Sequence, residues 1–224
     1  MPRLLFATAA VCVLAACPTP ARASRYYPRH EVWLGIGGAV SLEEDVFNVP
    51  DDIESNPEAA FSMGYLHNLD AHRAIGIHLY GAGETTPTVT LVDATGVARP
   101  ATFDLATVNV GLRGRYMFLG EALRPYVFGG FNWVNGSATS RTIGDFIVDA
   151  ATIGELSYNG VSACVGAGLA ITLGHRVRMS AEGIGSFGVA KWRQKPFVNS
   201  SSADFNPSIA GGTVNVSYLW GWSR

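Results

Sequence analysis

The sequence has few charged residues, few cysteines and, beyond its first two dozen residues, no long apolar run. Charged residues make up 15% of the chain, against about 25% in an average soluble protein, while apolar residues make up 48%. A chain this apolar is not expected to be disordered. Gly, Ser, Thr, Asn or a charged residue interrupts every later apolar segment before it reaches about 20 residues, which excludes membrane-spanning helices after the N-terminal stretch.

The net charge argues against nucleic-acid binding, and the cysteine content argues against an internal disulfide. The formal net charge of −2 provides no basic surface for nucleic acid, so we expect no nucleic-acid partner. Two of the three cysteines, Cys12 and Cys17, lie in the N-terminal stretch. The third, Cys164, cannot form an internal disulfide by itself.

The N-terminus has the layout of an export signal. Arg3 precedes an apolar run from Leu4 to Ala16, and Ala21-Arg22-Ala23 provides the small residues of a cleavage site. We therefore predict a signal peptide over residues 1–23 and a single domain over residues 24–224, which carries 14 basic and 18 acidic side chains.

An alternative for the same region is lipoprotein processing. Leu14-Ala15-Ala16-Cys17 resembles a lipobox, in which Cys17 would be acylated and would become the first mature residue. Cleavage after Ala23 is the preferred interpretation.

From Glu31 onward, segments of about ten residues with alternating apolar and polar side chains predict β-strands. In the clearest one, Ala106 to Leu112 alternate on an apolar face, with Arg113 and Arg115 on the polar face. Gly and β-branched residues at this density are poor helix formers, so no helix is expected after the signal. Eight strands are predicted: 32–40, 59–66, 73–80, 106–115, 126–134, 160–171, 177–187 and 213–222.

The connections between these strands alternate between short and long. Short ones lie near 68–71, 119–124 and 173–174, and long ones near 41–57, 81–101, 136–155 and 190–208. Short turns at one end and long loops at the other are typical of an outer-membrane β-barrel. A sheet in a bilayer must close on itself, because every backbone polar group needs an internal partner.

Alternation alone also fits a soluble β-sandwich or a lipocalin-like barrel with the apolar faces inside. Three features favour the membrane form: the export signal, aromatic residues near strand ends, and charged residues in mid-strand opposite the apolar face. The residues predicted to form the aromatic girdle are Tyr65, Tyr116, Trp133, Trp220 and Trp222.

The mid-strand charges are predicted to meet in the lumen, because a narrow apolar-walled interior makes ion pairing nearly obligatory. This ion-pair cluster comprises Arg113, Arg115, Arg178 and Glu182. With three arginines to one acid, further acceptors are expected from Asn109, Asn215, Ser180, Tyr80 or acids of the loops.

Several segments together resemble the family of eight-stranded outer-membrane β-barrels typified by the OmpA transmembrane domain and OmpX. The resemblance covers nearly the whole predicted mature chain and is carried by 124–130, 165–169, 176–182 and 214–222. It implies residence in the bacterial outer membrane, contact with its lipid and lipopolysaccharide, and assembly by the barrel-assembly machinery. That machinery usually reads a terminal aromatic residue, whereas Ser223 and Arg224 follow Trp222 here.

An eight-stranded barrel is just wide enough for side chains to fill it. We therefore predict a structural or surface-interaction protein, with the ligand of its long loops unidentified. The alternatives are a narrow pore for small solutes or ions and a lipid A-modifying hydrolase. Such a hydrolase needs a histidine base near its nucleophile, and His78, the one candidate, is expected to face the lumen. The protein is thus expected not to be an enzyme.

Lys191, Arg193 and Lys195 alternate at the start of the long connection near 190–208. An extended strand there would place all three on one side, so they are candidate lipopolysaccharide contacts. An acidic segment, 43–54, does not match the spacing of an EF-hand loop. No phosphate-binding loop or zinc motif is present, so no cofactor and no metal site is expected.

Overall fold

The computed structural model describes residues 27–41, 58–85, 89–92, 98–118, 123–143, 146–147, 155–195, 204–205 and 208–223. The predicted signal peptide, Cys17 and the acidic segment 43–54 lie outside these residues. No helix among the described residues is long and apolar enough to cross a membrane. The described strands are β1 (Tyr27–Ser41), β2 (Glu58–Asn68), β3 (Arg73–Thr85), β4 (Val89–Val92), β5 (Ala98–Met117), β6 (Leu123–Ile143), β7 (Phe146–Ile147), β8 (Glu155–Leu173), β9 (Val177–Lys195), β10 (Asp204–Phe205) and β11 (Ile209–Ser223).

Eight long strands form a closed antiparallel ring. Each long strand pairs with the next in the order β1, β2, β3, β5, β6, β8, β9 and β11, and β11 pairs back with β1. Closure leaves none of these strands with a free edge in the wall. The predicted fold class, an up-and-down eight-stranded barrel, is confirmed.

The register of the ring sets its diameter. Following cross-strand partners from Val189 on β9 once around the barrel leads back to β9 at Met179, ten residues away. With a rise of about 3.3 Å per residue and strands about 4.8 Å apart, this stagger corresponds to a strand tilt of about 40° and a backbone radius of about 8 Å. Side chains from opposite walls therefore meet across the lumen.

Side chains alternate between the two surfaces as the sequence pattern predicts. On β1, Val32, Leu34 and Ile36 are exposed on the outside, while Glu31 and Trp33 are buried inside. The other long strands repeat this alternation, so apolar side chains surround the barrel. Exposed examples are Phe61, Ile77, Leu112, Phe131, Val165, Leu169, Val189, Val214 and Val216.

The strands extend further than predicted at the end opposite the short turns. Within the segments 81–101 and 136–155, expected as loops, the residues that the structure describes are in strands: β4 pairs with β5, β7 pairs with β6, and β5 stays paired with β6 as far as Ala101 and Ile143. Likewise β9 reaches Lys195 and pairs with β10. Backbone pairing does not need an apolar face, so these strands continue where the alternation stops.

The first short turn is held by a single carboxylate. Asp70 Oδ1 accepts hydrogen bonds from the backbone N–H groups of His72 (2.8 Å) and Arg73 (2.7 Å), and its Oδ2 accepts one from Arg73 Nε (2.6 Å). Partial burial alone would raise the pKa of Asp70, but these hydrogen bonds outweigh it and hold the pKa below its usual value. In the third turn, Gly174 has a φ of 65°, which glycine adopts without strain.

Candidate functional site

The lumen nearest the short turns contains a shared carboxylate. Glu31 on β1 accepts hydrogen bonds from Arg115 Nη1 (3.1 Å) and Nη2 (2.5 Å), and its Oε2 also accepts one from Arg178 Nη1 (2.6 Å). All three side chains are buried. Arg115 Nη2 additionally donates to Asn68 Oδ1 (3.3 Å). Two guanidinium groups therefore share one carboxylate in the interior.

A second ion pair lies in the lumen further from the short turns than Glu31. Arg113 donates to Glu182 through Nη1 (3.1 Å) and Nη2 (2.6 Å), a two-point contact across the barrel from β5 to β9. The hydroxyl of Tyr126 donates to the same carboxylate at 2.9 Å. The guanidinium carbon of Arg113 lies 3.6 Å from the centre of the Phe128 ring and 5.1 Å from that of Trp33. Aromatic faces thus stabilise the charge that Glu182 neutralises.

All four residues of the predicted ion-pair cluster face the lumen, but only Arg113 and Glu182 pair with each other. Arg115 and Arg178 pair with Glu31, which was not singled out in the sequence. The second carboxylate thus comes from the wall itself. The alternation of β1 could have identified Glu31 as a lumen residue, because it lies two residues before Trp33 on the inward face of the strand.

Above the ion pairs the lumen is polar but uncharged among the described residues. Ser62 Oγ donates to Asn215 Oδ1 (2.6 Å), and Ser162 Oγ donates to Asn109 Oδ1 (3.3 Å). Neither asparagine contacts an arginine through a described hydrogen bond. Further up, Tyr158 hydrogen-bonds Thr107.

Aromatic side chains in the lumen pack over inward glycines. A Cβ at Gly166 would lie 2.2 Å from the Phe128 ring, one at Gly64 would lie 2.3 Å from Trp33, and one at Gly136 would lie 2.1 Å from Tyr158. Such distances are well inside van der Waals contact, so only glycine leaves room for these rings. Large rings thus lie over inward glycines at several levels of the barrel.

The aromatic residues predicted as a girdle lie at both rims. Tyr65 and Trp220 lie near the short turns, where the ring of His30 stacks on each, and Tyr65 pairs with His30 Nδ1 at 2.7 Å. Trp222 lies at the same end, and Tyr116 is buried there against His72. Trp133 is 60% exposed and lies toward the opposite rim. It is ten residues further along β6 than Leu123, which corresponds to about 25 Å along the barrel axis.

The three cations proposed to meet lipopolysaccharide lie at the far end of β9. Residues 191, 193 and 195 are alternate residues of β9, and the Lys191 side chain is exposed just beyond the outward apolar residue Val189. The side chains at 193 and 195 lie outside the described set. Among the described side chains, no group of three or more His, Cys, Asp or Glu residues is arranged to bind a metal.

Comparison with known proteins finds similarity in the fold. No protein-family model matches the sequence, and no curated protein does. Neisserial surface protein A (NspA) is 9% identical, with a TM-score of 0.54 over 85% of this chain and 97% of that chain. The fold is that of a small outer-membrane β-barrel. OprG from Pseudomonas aeruginosa (11% identity, TM-score 0.47, 86% of this chain and 96% of that chain) and Ail of Yersinia pestis (11%, 0.44, 86% and 98%) also match.

The surface of the barrel agrees with that fold. An apolar exterior on all sides of a closed barrel is unfavourable in water and favourable in lipid. The backbone polar groups of the wall are hydrogen-bonded between neighbouring strands. The described charged side chains within the wall face inward. The protein is therefore a transmembrane β-barrel of the bacterial outer membrane.

Proposed function

We propose that this protein is a non-conducting outer-membrane barrel that acts as a structural or surface-interaction platform. The observation that carries the proposal is the packing of the lumen side chains, in which Glu31 and Glu182 pair with three arginines while aromatic rings pack over inward glycines. A barrel with a backbone radius of about 8 Å is just wide enough for such side chains to fill it, which supports a lumen that does not conduct. The interacting surface is then provided by the strand extensions formed by β4 to β7 and by β9 with β10.

Planar-bilayer recordings test the plugged lumen. Mature protein refolded in detergent and inserted into a planar bilayer is expected to give no current steps above those of bilayers that receive detergent alone. Insertion is checked separately on vesicles by the difference in gel mobility between boiled and unboiled samples. Steady, protein-dependent steps would instead identify a narrow pore for small solutes or ions.

The position of His78 supports a role without catalysis. Its side chain is 4% exposed inside the lumen, whereas a lipid A hydrolase would need its base beside lipid on the outer surface. Its Nε2 lies 3.9 Å from the sulfur of Cys164, and no described carboxylate hydrogen-bonds its ring. We therefore propose that the barrel is not an enzyme.

We further propose that Lys191, Arg193 and Lys195 contact lipopolysaccharide phosphates at the outer rim. Their alternate positions on β9 beyond Val189 support this, because cations there stand where the apolar band ends. The C-terminal strand β11, in which Trp222 precedes the last strand residue, Ser223, is proposed to be read by the barrel-assembly machinery.

Replacing all three rim cations with Gln is expected to weaken lipopolysaccharide binding by about 10-fold to 100-fold, since each cation near an anionic surface contributes up to about 1 kcal/mol. Binding is measured by retention of labelled lipopolysaccharide on the detergent-solubilised barrel. The matched control, Arg29→Gln with Arg73→Gln and Arg176→Gln, removes the same charge at the opposite rim. Equal losses in both triple variants would rule out a specific contact at 191–195.

A further inference from the structure

Cys164 and His78 meet inside the barrel. Cys164 lies on β8 and His78 on β3, two strands that are separated in the ring by β5 and β6, and both side chains are buried. Cys164 Sγ lies 3.9 Å from His78 Nε2 and 4.0 Å from Asn132 Oδ1. A thiol, an imidazole nitrogen and an amide oxygen thus converge in one section of the lumen.

Polar atoms of His78 and of two neighbouring residues have no hydrogen-bond partner among the described residues. The thiol has one proton and can donate it either to His78 or to Asn132. His78 Nδ1 has no hydrogen-bond partner among the described residues, and neither have Tyr80 Oη and Asn109 Nδ2. Tyr80 and Asn109 are direct cross-strand partners, and His78 is the neighbouring inward residue on β3. With Nδ1 as the protonated ring nitrogen, His78 presents the lone pair of Nε2 to the thiol, so this nitrogen and the sulfur are the two donor atoms that face each other.

We propose that Cys164 and His78 bind a single soft monovalent cation of the copper(I) and silver(I) class, held between Sγ and Nε2. Thiolate and imidazole are the donors that such ions prefer. With bonds of the length that zinc makes, about 2.3 Å to sulfur and about 2.0 Å to nitrogen, two donor atoms can lie up to about 4.3 Å apart. The observed separation of 3.9 Å therefore admits the ion in a bent, low-coordinate arrangement without movement of the strands.

Charge balance favours a monovalent over a divalent ion. As the bond to sulfur forms, the thiol releases its proton to solvent, so uptake of one monovalent cation leaves the net charge of the site unchanged. A divalent cation would add a positive charge to an interior whose described ion pairs already contain three guanidinium groups and two carboxylates. Zinc also prefers four protein ligands, and the described side chains provide no such set.

The test is a titration of the reduced, refolded mature barrel, residues 24–224, in which Cys164 is the one cysteine, with silver(I) in chloride-free buffer, in competition with a chromophoric chelator. We expect one ion per barrel. Cys164→Ser should weaken binding at least about 100-fold and His78→Gln about 10-fold to 100-fold. The matched control His30→Gln replaces the histidine at the rim and should bind as the unmodified barrel does.

Two outcomes of the titration would overturn the proposal. Undiminished binding by Cys164→Ser would place the ion elsewhere, and undiminished binding by His78→Gln would reduce the site to a bare thiol. X-ray absorption on the unmodified barrel loaded with silver provides a second readout that needs no variant to fold. One sulfur and one nitrogen neighbour are expected, and a sulfur neighbour alone or none would contradict the site.

Discussion

Replacing Glu31 with Gln is expected to lower the free energy of unfolding by about 3–5 kcal/mol. The substitution keeps the shape of the side chain but removes the only carboxylate that the described structure places against both Arg115 and Arg178. Two buried guanidinium groups then lose their counter-charge in a narrow, apolar-walled lumen. Equilibrium urea unfolding in lipid vesicles, followed by tryptophan fluorescence, measures the change.

Two variants serve as controls for Glu31→Gln. Asp70→Asn also converts an acid to its amide, but it disrupts the half-exposed pair with Arg73 in the first turn and should cost about 1 kcal/mol or less. Arg178→Met removes the second guanidinium and leaves Glu31 with Arg115 as a matched pair, so it too should cost about 1 kcal/mol or less. If Glu31→Gln costs no more than Asp70→Asn, water screens the lumen and the barrel is not plugged.

Gly166→Ala is expected to destabilise the barrel by about 3 kcal/mol or to prevent refolding, because it introduces a methyl group where no space exists. The new Cβ would lie 2.2 Å from the Phe128 ring and 2.2 Å from the carbonyl oxygen of Gly183. Phe128 cannot easily move, since Arg113 packs on its face at 3.6 Å. The loss of refolding is measured by the yield of heat-modifiable protein on gels, and the loss of stability by the midpoint of urea unfolding.

Gly183→Ala is the matched control on the neighbouring strand. A Cβ at Gly183 would point outward and would meet nothing closer than the carbonyl oxygen of Gly211, at 3.8 Å. Alanine in a strand is better than glycine by about 0.5–1 kcal/mol, so this variant should be neutral or slightly stabilising. Similar effects of the two substitutions would show that packing of rings over inward glycines is not what closes the lumen.

The wall of the barrel could be predicted from the sequence because strand alternation is local. Val110 and Leu112 on one side and Arg113 on the other follow from a period of two, whatever pairs with the strand. The number of strands and the short turns near residues 69, 120 and 174 follow from where that period stops. Strand length at the other end could not be predicted, since β5 and β6 continue to Ala101 and Ile143 without an alternating apolar face.

The lumen could be predicted only in part. Arg113, Arg115, Arg178 and Glu182 were predicted to face inward, and they do, but a period of two does not say which charges meet. Glu31 is 84 residues from Arg115 and 147 from Arg178 in the chain. The sequence by itself determined a closed, apolar-walled barrel with charges inside. The tertiary structure alone decided that Glu31 pairs with two arginines and that Cys164 lies beside His78. Ring closure and a stagger of ten residues determine which side chains, distant in the sequence, lie at the same height along the barrel axis.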